Sequence, residues 1–295
     1  LILIMGYAVV KAGLLKASDS RVLSVVMVYL VTPCVIINAF QIDDTPEIRK
    51  GLLYSMAIAA AIHVVLLVLS ALLSRPLKLD AVEQVNVIYS NAAALVIPLV
   101  KALMGDAYVI YSCAFIIVQL VLLWTHASSL LQGSSALDWK KVLTNINMIA
   151  IAAGALLYWF RVVLPAPLQN TMSTVGNMMG PMGMLLAGMA IAEKPLREVF
   201  CTRRNYLPTV LRLVVCPLVV LVLLWVCHAS SWVADGKNIL MTVYLAAITP
   251  ACATVTSMAQ LYDRDAAHSS ALYVLTTLLS IVSMPVMIGL FDLLL

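Results

Sequence analysis

Ser90-Asn91-Ala92-Ala93-Ala94-Leu95-Val96-Ile97-Pro98-Leu99 and Ala247-Ile248-Thr249-Pro250-Ala251-Cys252-Ala253-Thr254-Val255-Thr256-Ser257 place small, polar and proline residues in the middle of long apolar runs. Proline removes a backbone donor and clashes with the carbonyl one turn earlier, so a helix kinks or unwinds there. In hydrocarbon the freed N–H and C=O groups need partners, and non-helical backbone persists only inside protein or against a cavity. A half-helix that begins at such a break points its positive end into the membrane centre. Two facing breaks would make a small site rich in donors, suited to a carboxylate. The plainer alternative is two proline-kinked packing helices whose Ser and Thr hydroxyls satisfy their own backbone. Their equivalent placement in two halves of the chain, argued below, favours the site.

The surrounding composition is that of a membrane protein. Of 295 residues, 63% are apolar and 11% charged, and the mean hydropathy is +1.03. A soluble chain is nearer half apolar and a quarter charged. The net charge of +4 is too small to suggest nucleic acid as a partner. The six cysteines show no CxxC or Cys/His metal spacing, and five sit in apolar surroundings as small hydrophobes. No cleavable signal pattern is visible.

Ten apolar runs can be marked, at about 1–15, 21–41, 51–73, 83–103, 107–130, 143–163, 168–192, 205–228, 238–261 and 266–294. Most have the roughly 20 residues that a 30 Å hydrocarbon core requires. Continuous apolarity without strict alternation selects helices over a barrel. The first run is short and opens inside an apolar stretch, so a natural N-terminal segment is expected before it. The odd-numbered loops and their edges hold twelve basic residues, among them Arg21, Lys78, Lys140, Lys141, Lys194, Arg204 and Arg264; the even-numbered ones hold five. By the positive-inside rule both termini face outward and the odd loops are cytoplasmic.

The runs divide five and five about residues 131–142. An odd number of spans turns a second copy upside down, the inverted repeat of secondary transporters. The expected organisation is a first repeat over 1–130, a cytoplasmic linker over 131–142 and a second, inverted repeat over 143–295. Prolines agree, with Pro33 and Pro181 in runs two and seven and Pro98 and Pro250 in runs four and nine.

The candidate substrate-binding residues are Asn91, Pro98, Thr249, Pro250, Thr254, Ser257 and Asn38, with Thr256 able to add a hydroxyl. His63 lies mid-run and could take up a proton during transport, although a His hydrogen-bonded between helices is the commoner use. Arg212, about two turns into run eight, either snorkels to the interface or attracts the anion. Gln119 and Asn177 are polar mid-run residues of the kind that line a path or bond neighbouring helices.

The stretch from Ser90-Asn91 to Pro98-Leu99, with Lys101 to Asp106 after it, resembles the fourth-helix signature of the auxin efflux carrier family. Thr249 to Ala253, Met258 to Tyr262 and Ser280 to Pro285 are similar to its later signatures, and Gly6-Tyr7, Gly13 to Leu15 and Val31 to Pro33 to its opening. The resemblance runs over nearly the whole chain. It implies two inverted five-helix repeats, a scaffold part and a mobile part, and a site where helices four and nine cross. It also implies anionic substrates, auxin in plants and mono- or dicarboxylates such as malate or malonate in bacteria, hence an inner-membrane permease. Ala93 and Val96 stand where that family carries glycines, so its substrate does not transfer automatically.

The expectation is therefore an all-α secondary transporter in a lipid bilayer, with no catalytic residues, no metal and no cofactor; a homodimer is an admissible assembly. No HExxH, GxSxG or P-loop pattern points to catalysis or ATP-driven pumping. A channel and a sodium-coupled symporter of the bile-acid type remain as alternatives. The absence of an acidic residue at the depth of the breaks weighs against sodium.

Overall fold

Alanine- and leucine-rich runs favour helix, and in the computed structural model the chain folds into helices joined by short turns. The structure describes residues 1–41, 45–133, 144, 146–192, 196–233 and 235–295. Among them the only extended pairing is an isolated antiparallel bridge between Ser90 and Ala251.

In chain order, α1 is Ile2–Lys11, α2 is Ser20–Val26 and α3 is Thr32–Ala39, the last two joined by a π turn at Met27–Val31. Then come α4 Pro46–Ser74, α5 Ala81–Ile88 and α6 Ala92–Met104. After them α7 Val109–Leu122 continues through a π turn, Leu123–Ala127, into α8 Ser128–Gln132. The second half holds α9 Ile146–Trp159, α10 Ala166–Asn177, α11 Met179–Ile191 and α12 Leu196–Cys201. It ends with α13 Arg203–Val210, a π turn Leu211–Val215, α14 Cys216–Val226, α15 Gly236–Ile248, α16 Ala253–Leu261 and α17 Ala266–Leu294.

Among the described residues five continuous helical paths are long and apolar enough to cross a membrane: Ala17–Asn38, Pro46–Ser74, Val109–Gln132, Arg203–Val226 and Ala266–Leu294. The shorter apolar helices include α1, α9 and α15. Runs four, seven and nine are each divided in two, between α5 and α6, α10 and α11, and α15 and α16. Helix starts follow local chemistry rather than apolarity. The third run begins at Pro46 instead of 51 because Thr45 Oγ1 accepts from the Ile48 N–H and Pro46 occupies the first helical position. A capping box between Asp80 and Glu83 opens α5, and Asp265 accepts from His268 N–H at the start of α17. Gly133, at φ 72°, stops α8 in the left-handed region that glycine favours. The rest of the 131–142 linker, with Lys140 and Lys141, lies outside the described residues, as does Lys194 in the turn after run seven.

Turns contact one another by parity. Arg21 pairs with Asp263 at 2.8 Å, Arg264 donates to Leu131 O, and Arg204 binds Glu83 and the carbonyls of Leu77 and Lys78. Those turns all follow odd-numbered runs. Those after even-numbered runs meet one another too: Leu164 N–H donates to Gln41, and Tyr108 O–H donates to Asp235.

The most intimate helix pairing is α1 with α11. A Cβ on Gly6 would stand 2.2 Å from Leu185 O, and one on Gly188 would stand 2.0 Å from Leu3 O. Only glycine allows two backbones that close. Large apolar side chains remain exposed along the outward faces of long helices, as at Leu53, Val64 and Leu72 on α4 and Ile281, Val282 and Val286 on α17. A bilayer is the solvent that such a surface needs.

Candidate functional site: the crossing of two broken helices

The bridge places the interruptions of runs four and nine against each other. Tyr89 is extended at φ −95°, ψ 124°, and Asn91 at φ −80°, ψ 40° caps α6. On the other limb Thr249 has φ −60°, ψ 154°, and Cys252 at φ −75°, ψ 125° caps α16. Asn91 N–H donates to Pro250 O at 2.8 Å, and Cys252 N–H donates to Tyr89 O at 3.1 Å. The two bonds run in opposite directions across the Ser90–Ala251 pair, as a local two-fold axis would have them.

Each central residue is held from behind by a side chain of a neighbouring helix. On α7, Gln119 Oε1 accepts from Ser90 N–H at 3.0 Å and from Ser90 Oγ at 2.7 Å, and Gln119 Nε2 donates to Ser90 O at 2.8 Å. On α17, Thr276 Oγ1 accepts from Ala251 N–H at 3.1 Å. Buried backbone polar groups are thus matched in the absence of a helical ladder.

The sequence placed the first interruption over Asn91–Pro98, and the structure confines it to the N-terminal edge of that stretch. The chain leaves helix at Tyr89–Asn91 and is helical again from Ala92 to Met104, through Pro98. The side chains of Pro98 and Ala93 lie outside the described residues. What opens the ladder is the diversion of backbone donors: Asn91 N–H, which would close the bond to Val87 O, goes to Pro250 instead. Pro250 does sit in its interruption, while Thr254, Thr256 and Ser257 fall inside α16 beyond it.

The remaining candidates fall into place around this frame. Asn91 is 3% exposed, its side chain makes no capping bond to α6, and it lies beside the Tyr273 hydroxyl, as does Thr277. Thr277 Oγ1 is buried with no other partner among the described residues. Thr254 is buried. Ser257 Oγ donates to Met27 Sδ at 3.2 Å, and Thr256 shares a bond with Ser269 at 3.1 Å. Thr249 Oγ1 returns to Ala246 O at 3.0 Å. Val96, one of the two departures from glycine, is completely buried. Asn38 stands apart: it is half-buried on α3, whose main neighbours are α9 and α10.

His63 lies behind the crossing on α4, completely buried. Its Nδ1 is 2.7 Å from Ala59 O, so Nδ1 carries the proton and Nε2 is the acceptor. That Nε2 has no partner among the described residues, and the ring packs on Phe115 at 4.7 Å between centroids.

Arg212 does not snorkel. It is 1% exposed, in the π turn between α13 and α14. Its guanidinium donates to Val87 O and Ile88 O, each at 3.1 Å, to Thr249 O at 2.9 and 3.1 Å, and to Ala247 O. These are the C-terminal carbonyls of α5 and of α15 with its capping residue. Gln119 was visible in the sequence as a mid-run polar residue; Thr276 carried no signal that set it apart from neighbouring Thr277.

The crossing therefore separates two polarities. On one side two helix C-termini converge on a buried cation. On the other, α6 and α16 begin, each with a first turn of backbone N–H groups that lack helical acceptors. Such a pair of N-termini can bind an anion. A carboxylate–histidine cluster elsewhere, Asp80, Glu83 and His268, brings its ligand atoms within 4.8 Å of one another. Both Glu83 oxygens are already bonded to Arg204, and no metal is assigned there.

A family model described as a membrane transport protein matches residues 1–138 and 135–288. No curated protein matches the chain.

Proposed function

Because the chain belongs to the membrane transport protein family, the auxin efflux carriers, we propose that it is a secondary transporter of small organic anions, mono- or dicarboxylates, working by alternating access. The observation that carries this reading is the crossing, where the N-termini of α6 and α16 start beside each other and Arg212 covers the opposite, C-terminal ends. Each N-terminus offers about half a positive charge and first-turn N–H groups outside the helical ladder, of which Val255 N–H on α16 also bonds Cys252 O at 3.1 Å. A carboxylate oxygen between them takes up those donors, with the Asn91 amide and the Thr254 and Ser257 hydroxyls in reserve. Arg212 contributes at a distance: by neutralising the negative ends, it leaves the donor side as the dominant field.

The parity of the turn contacts and the opposed bonds across Ser90–Ala251 support ten spans in two inverted five-helix repeats, 1–130 and 143–295; the excess of basic residues in the odd-numbered loops supports both termini outside, and the family resemblance a bacterial inner membrane. In that arrangement the crossing shifts against a scaffold built from spans one, two, six and seven. Gly183 on α11 marks a close contact of that kind, since a Cβ there would stand 2.8 Å from the Cβ of Ala253, the first residue of α16. His63 is the candidate proton acceptor, because its Nε2 is buried with no donor among the described residues.

The test is uptake of labelled malate, malonate and other carboxylates into liposomes under imposed pH and Na⁺ gradients. Saturable, counterflow-competent uptake that collapses in Asn91→Ala supports the site. Uptake that survives Asn91→Ala removes the site, and no carboxylate uptake removes the substrate class. Conductance without saturation would make the protein a channel. A pH dependence lost in His63→Gln assigns the proton; one that persists relieves His63 of that role.

A further inference from the structure

The carbonyl side of the crossing carries a second conclusion, independent of which anion binds on the other side. Where a helix is interrupted, the carbonyls of its last turn lose their donors. Asn91 N–H, the helical partner for Val87 O, is bonded to Pro250 O. Ala251 N–H, the partner for Ala247 O, is bonded to Thr276. Val87, Ile88, Ala247 and Thr249 thus present four carbonyl oxygens around the Arg212 guanidinium, at the negative ends of two half-helices.

An oxygen cage at a helix C-terminus within a broken-helix crossing is the chemistry that holds a coupling cation in carriers of this architecture. Here it is full. The Arg212 Nε, Nη1 and Nη2 donors are all directed at it. Among the described residues no carboxylate pairs with the guanidinium, so its charge is balanced by carbonyls and helix ends alone. A buried cation without those partners would be strongly disfavoured.

We infer that the four carbonyls form a cation site which the chain fills permanently with its own Arg212 guanidinium, in place of a dissociable inorganic ion, and that removing this side chain leaves a site for free guanidinium. Guanidinium is the occupant because the oxygens are spread along a planar fork of donors instead of converging at one coordination distance. The wild-type crossing accordingly needs no Na⁺ to hold its shape.

The experiment is thermal melting of the purified full chain in detergent, which requires neither substrate nor transport. Arg212→Ala is expected to melt several degrees lower than wild type. Low millimolar guanidinium chloride should then raise its melting temperature saturably, while NaCl and KCl at equal ionic strength do not. Wild type should gain nothing from guanidinium. Equal responses of Arg212→Ala to guanidinium and to NaCl would overturn the inference. If Arg212→Ala does not accumulate, wild type still decides: its melting temperature should not change when Na⁺ is replaced by K⁺ or choline. A saturable Na⁺-dependent rise would show that a dissociable cation shares the cage. Failure here leaves carboxylate uptake untouched, and absence of uptake leaves this result untouched.

Discussion

At the first interruption one side chain, Gln119, satisfies the Ser90 N–H, hydroxyl and carbonyl together; at the second, Ala251 has a single bond from its N–H to Thr276. The second limb instead has Pro250, which lacks an N–H and holds its own φ near −65°. The first limb has no proline in the gap, and its Pro98 lies within the helix that follows. An interruption can therefore be built in two ways: by covalent restriction of the backbone, or by a partner that outcompetes the helical ladder. The first way is written locally. The second depends on a residue about thirty positions away.

Five substitutions sharpen that contrast. Gln119→Ala should be the most damaging, because it leaves buried Ser90 groups without partners at roughly 1–3 kcal/mol for each group; the readout is a large drop in melting temperature with loss of uptake. Gln119→Glu, which can accept from Ser90 but cannot donate to its carbonyl while ionised, should fall short of wild type as well. Thr276→Val removes one bond at the second limb and should cost about 1–3 kcal/mol in total, a smaller fall in the same melting assay. Pro250→Ala should cost about 0.4–1 kcal/mol by freeing the unfolded chain, with uptake reduced more than stability. Pro98→Ala should have the least effect on the crossing, with uptake kept within about twofold of wild type. If Pro98→Ala instead matched Gln119→Ala, the interruption would depend on proline in both limbs and the contrast would fail.

Much of the fold could be read directly. The five long helical paths fall on apolar runs because composition and length alone decide what can span hydrocarbon. The pairing of interrupted runs was also legible, since polar and small residues at mid-run have few other uses there. Two boundaries were misplaced for identifiable reasons. Run three was started at Gly51 by its apolarity, whereas Thr45 and Pro46 cap the helix earlier. The first interruption was placed over Asn91–Pro98, whereas diversion of Asn91 N–H opens the ladder at Tyr89–Asn91 and the chain is helical from Ala92. Asn38 was placed with the site on its polarity, and it lies on α3, which packs mainly against α9 and α10.

Arg212 shows where one-dimensional reading ends. A lone arginine in an apolar run had two sequence-level readings, an interfacial snorkel and an anion attractor. Its actual partners are carbonyls of residues 87, 88, 247 and 249, and no local pattern connects them to position 212. The sequence by itself determined that this chain lives in a membrane, that its secondary structure is helical and that runs four and nine are special, because these follow from transfer free energy and local backbone chemistry. Only the tertiary structure decided where the interruptions fall, which side chains satisfy them and that their negative ends share one buried cation. Those outcomes depend on which donors and acceptors meet, and that is settled by packing between segments far apart in the chain.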